Sequence, residues 1–165
     1  MKILVFSDTH NDTDLMKRAV EQHRDSTDLI IHLGDYVKDT LLFTKLCPHI
    51  ANINISGNCD YFTDGISAFH EKTLLLGNTG IRAFLCHGHS YRVKGGTDIL
   101  LSKAKKENAA IALYGHTHIA AISEKSGVLF MNPGSASVPR STEPCSYGII
   151  NICDGNIMPT IIFDR

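Results

Sequence analysis

The sequence contains no tryptophan and no apolar run long enough to cross a membrane, so we expect no membrane-inserted segment. Only about five apolar residues precede Asp8, too few for a secretory signal peptide, and a cytoplasmic location is therefore expected. Basic residues form no cluster larger than Lys103, Lys105 and Lys106, and the net charge is −1, which argues against a groove for extended nucleic acid. With 165 residues, 43% of them hydrophobic, the chain is predicted to be a single domain over residues 1–165.

The sequence also lacks C-x-x-C spacing, and its five cysteines are an odd number. Cys47, Cys86, Cys145 and Cys153 lie in or beside apolar runs. Such residues are typically buried free thiols, so we predict no disulfide framework.

In the first sixty residues, short apolar runs alternate with helical patterns. Strands are predicted over residues 3–6, 29–33 and 50–55. Helices are predicted after Asp12 or Thr13 and between residues 37 and 46, where Pro48 ends the second one. Alternating strands and helices predict right-handed βαβ crossovers and a parallel sheet.

The second half is richer in strand patterns. A hairpin is predicted around Gly77-Asn78, and a helix of about ten residues is predicted after Gly96, with Ile99, Leu100 and Ala104 facing inward. Further strands are predicted near residues 109–114, 120–123, 128–131, 146–152 and 157–163. We therefore predict an α/β fold in which two mixed β-sheets pack as a sandwich with helices on the outer faces.

Five predicted strands end in polar clusters, and in open α/β sheets ligands bind beyond the carboxyl ends of the strands. Gly115-His116-Thr117-His118 is informative because residues i and i+2 of an extended chain point the same way, which aims two imidazoles into one pocket. Each cluster alone also fits a helix cap, a turn or a hydrogen-bonded loop histidine. The other four clusters are Asp8-Thr9-His10, Gly34-Asp35, Gly57-Asn58 and His87-Gly88-His89.

Taken in order, the motifs Asp8-x-His10, Gly34-Asp35, Gly57-Asn58, His87 and Gly115-His116-x-His118 resemble those of the calcineurin-like metallophosphoesterases. The small size, Asn132-Pro133-Gly134-Ser135 and Pro139-Arg140 make the chain similar to a compact branch. That branch includes bacterial YfcE-type phosphodiesterases and the retromer subunit of eukaryotes. The resemblance covers nearly the whole chain and implies the calcineurin-like phosphoesterase fold with two divalent metal ions.

The same resemblance implies a ligand set. Asp35 would bridge the two ions, which two-metal hydrolases hold roughly 3.5 to 4 Å apart. Oxygen and nitrogen ligands without thiolate suit Mn, Fe, Co, Ni or Zn, and the resemblance favours manganese. One ion would take Asp8, His10 and His118, and the other would take Asn58, His87 and His116.

The implied function is a metal-dependent phosphodiesterase, in which a hydroxide shared by the two ions attacks the phosphorus of a small phosphodiester. Asn11, Arg92 and Arg140 are candidates for contacting the phosphate, although surface solvation explains an arginine equally well. Three aromatic residues are candidates for the rim of the site: Tyr36, Tyr61 and Phe62.

One departure from the family pattern concerns protonation of the leaving group. Many members have histidine where this chain has Cys59, and a thiol with a pKa of about 8.5 is a poor general acid. We therefore expect the best activity on diesters with good leaving groups, with His89 compensating in part. Asp60 is predicted to orient the site, although a turn role fits it nearly as well. Together with Asn58, these are the candidate catalytic residues.

Two other functions stay open. The chain could be a protein-interaction scaffold, as the retromer-type relative is, or a phosphomonoesterase with extra cationic contacts from Arg92, Lys94 and Arg140. A metallo-β-lactamase-like hydrolase is disfavoured because Ser90-Tyr91-Arg92 follows His87-Gly88-His89, where that pattern needs Asp-His. For oligomeric state, the resemblance leaves both a homodimer and a homotetramer open.

Overall fold

The structure is a computed structural model that describes residues 1–61 and 65–164, so the rim candidate Phe62 lies outside it. Short 3-10 segments occupy Arg24–Ser26, Val37–Thr40, His89–Tyr91 and Val93–Gly95. The α-helices are α1 (Asp14–His23), α2 (Leu41–Leu46) and α3 (Asp98–Lys106). The strands are β1 (Lys2–Phe6), β2 (Leu29–His32), β3 (Ala51–Asn54), β4 (Glu71–Leu75), β5 (Arg82–Cys86), β6 (Ile111–Leu113), β7 (Ala121–Lys125), β8 (Val128–Asn132), β9 (Ser146–Cys153) and β10 (Asn156–Phe163).

The strands form two five-stranded sheets, and both are mixed. The first has the order β10-β9-β1-β2-β3, in which β1, β2 and β3 are parallel and β9 pairs antiparallel with both β1 and β10. The second has the order β4-β5-β6-β8-β7, with a parallel centre of β5, β6 and β8 and antiparallel strands at both edges. The predicted two-sheet α/β sandwich is confirmed.

The continuous apolar strands have both faces covered, as buried parallel strands require. In β1, Ile3 and Val5 belong to the core shared with the second sheet, whereas Leu4 and Phe6 pack with residues of α1. Because successive side chains of a strand point to opposite faces, this one apolar strand contributes to the core on each side of the sheet. On the second sheet, Phe84 and Ala112 likewise pack against Leu100 and Ala104 of α3.

Three details differ from the sequence predictions. The single helix expected between residues 37 and 46 is a 3-10 segment followed by α2, and the Thr40 hydroxyl donates to the Val37 carbonyl at the junction. Ile99 is half-exposed, because α3 buries the i, i+4 pair Leu100 and Ala104. All five thiols are free, but Cys145 is only partly buried and Cys153, at the end of β9, is exposed.

Among the described residues no helix has the length and apolarity that spanning a membrane requires.

Candidate metal centre

The predicted ligands lie beyond the carboxyl ends of parallel strands from both sheets. Asp8 and His10 follow β1, Asp35 follows β2 and Asn58 follows β3, all in the first sheet. His87 follows β5, and His116 and His118 follow β6, both in the second sheet. The site therefore straddles the two sheets. The roles of these residues as ligands stay predictions, and the structure adds their geometry.

Asp8, His10, Asp35 and His118 form one compact cluster, in which one candidate ligand atom from each lies within 4.8 Å of the others. His118 Nε2 is 3.1 Å from Asp8 Oδ1, and His10 Nε2 is 3.7 Å from Asp35 Oδ2. The Nε2 atoms of His10 and His118 are 3.4 Å apart. These are separations at which a single cation could contact all four side chains.

His87 brings a second group of imidazoles to the same carboxylate. Its Nε2 atom is 3.5 Å from Asp35 Oδ2, and its ring centroid is 5.1 Å from that of His116 and 5.5 Å from that of His89. The His116 backbone N–H donates to Asp8 Oδ2 over 3.1 Å. Asp35 Oδ2 is therefore within 4 Å of an imidazole nitrogen of each group, His10 in the first and His87 in the second.

Two buried polar atoms in the described part of the chain face this space without a hydrogen-bond partner: Asp8 Oδ1 and His87 Nε2. His87 Nδ1 lies 2.8 Å from the Leu33 carbonyl oxygen, and His118 Nδ1 lies 2.6 Å from that of Val138. A carbonyl only accepts, so Nδ1 carries a proton in both rings, and in the form that binds a metal each ring turns the lone pair of Nε2 toward carboxylate oxygens. Burying acceptors against one another is unfavourable unless a cation lies between them, so the donor set fits a divalent metal ion.

The electrostatics of the site keep both carboxylates ionised. Burial raises the pKa of Asp8, but interaction with the imidazoles of His118 and His87 more than offsets it, so the pKa is lowered. The pKa of Asp35 is also lowered, because His87 and the Cys59 N–H outweigh its burial. Burial, followed by the charges of His87 and Lys94, lowers the pKa of His116 to about 4. His116 is therefore neutral at physiological pH, with a lone pair available.

The backbone at the site adopts left-handed conformations that non-glycine residues rarely take. Such conformations cost of order 1–3 kcal/mol each and cluster at functional sites. They turn the chain sharply where it leaves β1, β2 and β6. Five of the predicted ligands have them: Asp8 (φ 55°), His10 (φ 43°), Asp35 (φ 60°), His116 (φ 68°) and His118 (φ 60°).

The segment after β3 is built around Asp35. The Cys59 backbone N–H donates to Asp35 Oδ1 over 2.8 Å, and a Cβ on Gly57 would lie only 2.2 Å from that oxygen. Asn58 is exposed, and its Nδ2 is 3.4 Å from Cys59 Sγ. Burial and the Asp35 charge raise the pKa of the Cys59 thiol to about 11. The thiol is thus an even weaker acid than the sequence analysis assumed.

Asp60 occupies an orienting position. Its Oδ2 accepts the backbone N–H groups of Asp35, over 2.9 Å, and of Gly57, over 2.7 Å. Its Oδ1 accepts the Val37 N–H over 2.8 Å. One carboxylate therefore ties the turn after β2 to the turn after β3, and the predicted orienting role of Asp60 stays a prediction.

The residues that hold Asp8 in place were not among the predicted site residues. The Ser7 hydroxyl donates to Asp8 Oδ2 over 2.6 Å, and the Ser135 hydroxyl donates to the Asp8 carbonyl over 2.7 Å. Asn132 Nδ2 donates to the Gly115 carbonyl over 2.9 Å. In the sequence, the segment from Asn132 to Ser135 was noted only for its resemblance to the family. That resemblance was the one available signal that the segment lies beside a predicted ligand.

The candidates for substrate contact and proton transfer are spread more widely. The Asn11 backbone N–H donates to Asp39 Oδ2, and the Tyr36 ring centroid is 5.1 Å from that of His10. The His89 ring is 6.1 Å from that of His116. Tyr61, Arg92 and Arg140 are exposed, and the two arginines line different cavities, Arg92 with Gly95, Gly96, Asp98 and Ile99, and Arg140 with Lys94 and Tyr114.

The chain is similar in sequence to known phosphoesterases. Residues 1–155 match the sequence model of the calcineurin-like phosphoesterase superfamily domain. The chain is 30% identical over 152 residues to the probable metallophosphoesterase YsnB of Bacillus subtilis, covering 92% of this chain and 85% of that protein. It is 26% identical over 171 residues to the phosphodiesterase YfcE of Escherichia coli K12, covering 92% and 88%.

Among solved structures, a similar one is that of a protein of Streptococcus pneumoniae TIGR4 described as a predicted phosphoesterase. The two share 27% sequence identity with a TM-score of 0.81, over 98% of this chain and 88% of the other. The sandwich that positions the cluster at the strand ends is therefore shared with a solved relative.

Proposed function

Because this chain belongs to the calcineurin-like phosphoesterase superfamily, we propose that it is a phosphodiesterase that holds two divalent metal ions and hydrolyses a small phosphodiester. Membership in this family makes the chain a metal-dependent phosphoester hydrolase. The pair of ions, their identity and the preference for diesters are the proposed part. The name of the YfcE relative, a phosphodiesterase, supports that preference.

The observation that carries the proposal is the position of Asp35 Oδ2, 3.7 Å from His10 Nε2 and 3.5 Å from His87 Nε2. One ion would be held by Asp8, His10, Asp35 and His118, and the other by Asp35, Asn58, His87 and His116. Manganese is our first choice, and Fe, Zn, Ni and Co suit the same oxygen and nitrogen donors.

When bound, such an ion pair would acidify a water molecule at neutral pH and so supply the nucleophile for in-line displacement at phosphorus. The protein's part is to hold the ligands in place: the Leu33 and Val138 carbonyls fix the His87 and His118 rings, and Asp60 fixes the turns that carry Asp35 and Asn58. Two divalent ions outweigh the charge of the buried carboxylates, so the loaded site attracts a phosphate anion.

Departure of the leaving group depends on which side chain donates a proton to it. His89 is beside the imidazoles of His87 and His116, whereas the Cys59 thiol holds its proton too tightly to be an efficient donor. We therefore propose that the enzyme works best on diesters whose leaving group needs no proton. A cytoplasmic location fits the five free thiols.

The test is a metal titration of chelator-treated protein with bis(p-nitrophenyl) phosphate and p-nitrophenyl phosphate. We expect hydrolysis to appear with added metal, to favour the diester and to saturate near two ions per chain. Asp35→Asn, which removes the shared charge, should lower both metal content and turnover at least roughly 100-fold, whereas Asp25→Asn on the exposed surface should change neither. Metal binding without hydrolysis would favour the scaffold, and preference for the monoester would favour a phosphomonoesterase.

A further inference from the structure

A cavity of about 490 Å³ opens beside the candidate metal centre. Val93, Tyr114 and Ile119 give it apolar walls, and Lys94 and Arg140 bring two positive charges to its lining. No carboxylate is among the residues that line it. The volume lies within the range of about 300–1,000 Å³ that is typical of small-molecule sites.

Two residues of the cavity lining are connected directly to predicted ligands. Thr117, which lines the cavity, stands between the predicted ligands His116 and His118 in the chain. The Arg140 backbone N–H donates to the His118 carbonyl over 3.0 Å. A molecule that placed its phosphate at the metal centre could therefore extend into this cavity.

In the part of the chain that the structure describes, the two cations of the cavity have no partner of opposite charge. Within residues 1–61 and 65–164, neither the Lys94 ammonium nor the Arg140 guanidinium lies within 4.0 Å of a carboxylate oxygen. Lys103, by contrast, pairs with Glu71 and Glu107, and Lys125 pairs with Asp98. Unpaired cations around an apolar cavity are complementary to a ligand that has an apolar body and an anionic group.

We propose that this cavity binds the second arm of the phosphodiester substrate, and that this arm has an aromatic or similarly apolar body bearing its own anionic group. The inference rests on the proposed function, because it assigns the substrate class of the same site. The apolar walls bind the body of the arm, and Lys94 and Arg140 bind its anion. Arg92 has no part in this contact, since it lines a different cavity.

The experiment uses three chromogenic diesters that share a p-nitrophenyl leaving group and differ only in the second arm. The arms are 4-methylphenyl, which is neutral, 4-(carboxymethyl)phenyl, which is anionic, and 4-(aminomethyl)phenyl, which is cationic. For the metal-loaded protein we expect kcat/KM to favour the anionic arm over the neutral one by roughly threefold to tenfold, the effect of one or two exposed charge pairs. The cationic arm should be the poorest substrate.

Variants then assign the preference to these residues. The double substitution of Lys94→Ala and Arg140→Ala should bring the anionic-to-neutral ratio of kcat/KM close to one, and Arg140→Glu should shift preference toward the cationic arm. The matched controls Lys105→Ala on α3 and Arg82→Ala on β5 remove exposed charges elsewhere and should keep the wild-type ratio. A ratio within one preparation is insensitive to any inactive fraction.

The outcomes separate the two levels of the argument. Hydrolysis of all three diesters at equal efficiency, or a ratio that survives the double substitution, overturns this inference and leaves the proposed function standing. Hydrolysis of none of the three, with any of the five metals, overturns the proposed function and the inference with it.

Discussion

His87 Nδ1 donates a hydrogen bond to the carbonyl oxygen of Leu33 over 2.8 Å, and the two residues follow strands of different sheets. The bond fixes both the tautomer and the orientation of the ring, so that Nε2 is presented to Asp35. A histidine that binds a metal usually donates its other N–H in this way. The orientation of the His87 ring therefore depends on correct packing of the two sheets.

Replacing Asp60 tests whether it positions the site. Asp60→Ala leaves the N–H groups of Asp35, Gly57 and Val37 without their acceptor. We expect a loss of about 1–3 kcal/mol in unfolding free energy and a metal affinity roughly 10-fold to 100-fold weaker. Denaturant unfolding and calorimetric metal titration measure the two effects. Asp25→Ala, at a fully exposed position, is the control, and an unaltered metal affinity in Asp60→Ala would contradict the role.

Replacing Cys59 tests whether the thiol limits protonation of the leaving group. In Cys59→His the backbone N–H that donates to Asp35 remains, and an imidazole replaces a thiol whose pKa is about 11. Turnover of an alkyl diester should rise roughly tenfold or more, because general acid catalysis becomes available. Turnover of bis(p-nitrophenyl) phosphate should respond far less, since nitrophenolate leaves without a proton. Cys59→Ser serves as control; an unchanged alkyl rate in Cys59→His would disprove the idea.

Adding a methyl group at Gly115 tests the close packing behind Asp8. A Cβ there would lie 1.9 Å from Ser7 Oγ and 2.9 Å from Asp8 Oδ2, so the Ser7–Asp8 hydrogen bond must break or the turn must move. We expect Gly115→Ala to destabilise the protein by about 1–3 kcal/mol and to weaken metal binding. Gly95→Ala, where a Cβ meets nothing within 4 Å, should be close to neutral in thermal unfolding. Equal melting temperatures for the two variants would refute the argument.

His32 makes the stability of the fold depend on pH. It is fully buried, its Nδ1 accepts the Gly34 N–H, and burial lowers its pKa from 6.5 to about 4. The unfolded chain therefore takes up a proton near pH 6.5 that the folded protein resists until about pH 4. The stability that His32 contributes is fully present above pH 6.5 and is lost, to the order of 3 kcal/mol, as the pH falls toward 4.

Urea unfolding of the metal-free protein between pH 7.5 and 4.5 measures this slope. His32→Gln removes the titrating ring, so its stability should fall less steeply over the same interval. His49→Gln, at an exposed position, keeps the wild-type slope. Parallel curves for His32→Gln and wild type would show that other groups carry the pH dependence.

The fold was largely predictable because its signals are local. The run from Ile3 to Phe6 is apolar at every position, which indicates a strand with two covered faces, and the structure covers both. Local patterns failed where tertiary packing decides. Ile99 and Cys153 are as apolar as their neighbours, yet α3 and β9 turn Leu100 and Ile152 inward instead.

The site was predictable in composition but less so in its supports. Polar residues that follow an apolar run indicate each strand-end cluster in the sequence, and the structure brings the clusters together. The contact between the Ser135 hydroxyl and the Asp8 carbonyl spans 127 positions in sequence, and no periodicity or spacing reports such a contact. The same holds for the His87–Leu33 hydrogen bond.

The division of the predicted ligands between the two sheets has a thermodynamic consequence. An ion bound by these residues would crosslink the two sheets, and the protein could unfold only by releasing it. Above the dissociation constant, each tenfold rise in free ion would add about 1.4 kcal/mol of resistance to unfolding. At a low concentration of that ion the cell would then lose more than the activity. The protein would also unfold more often and be degraded faster by proteases.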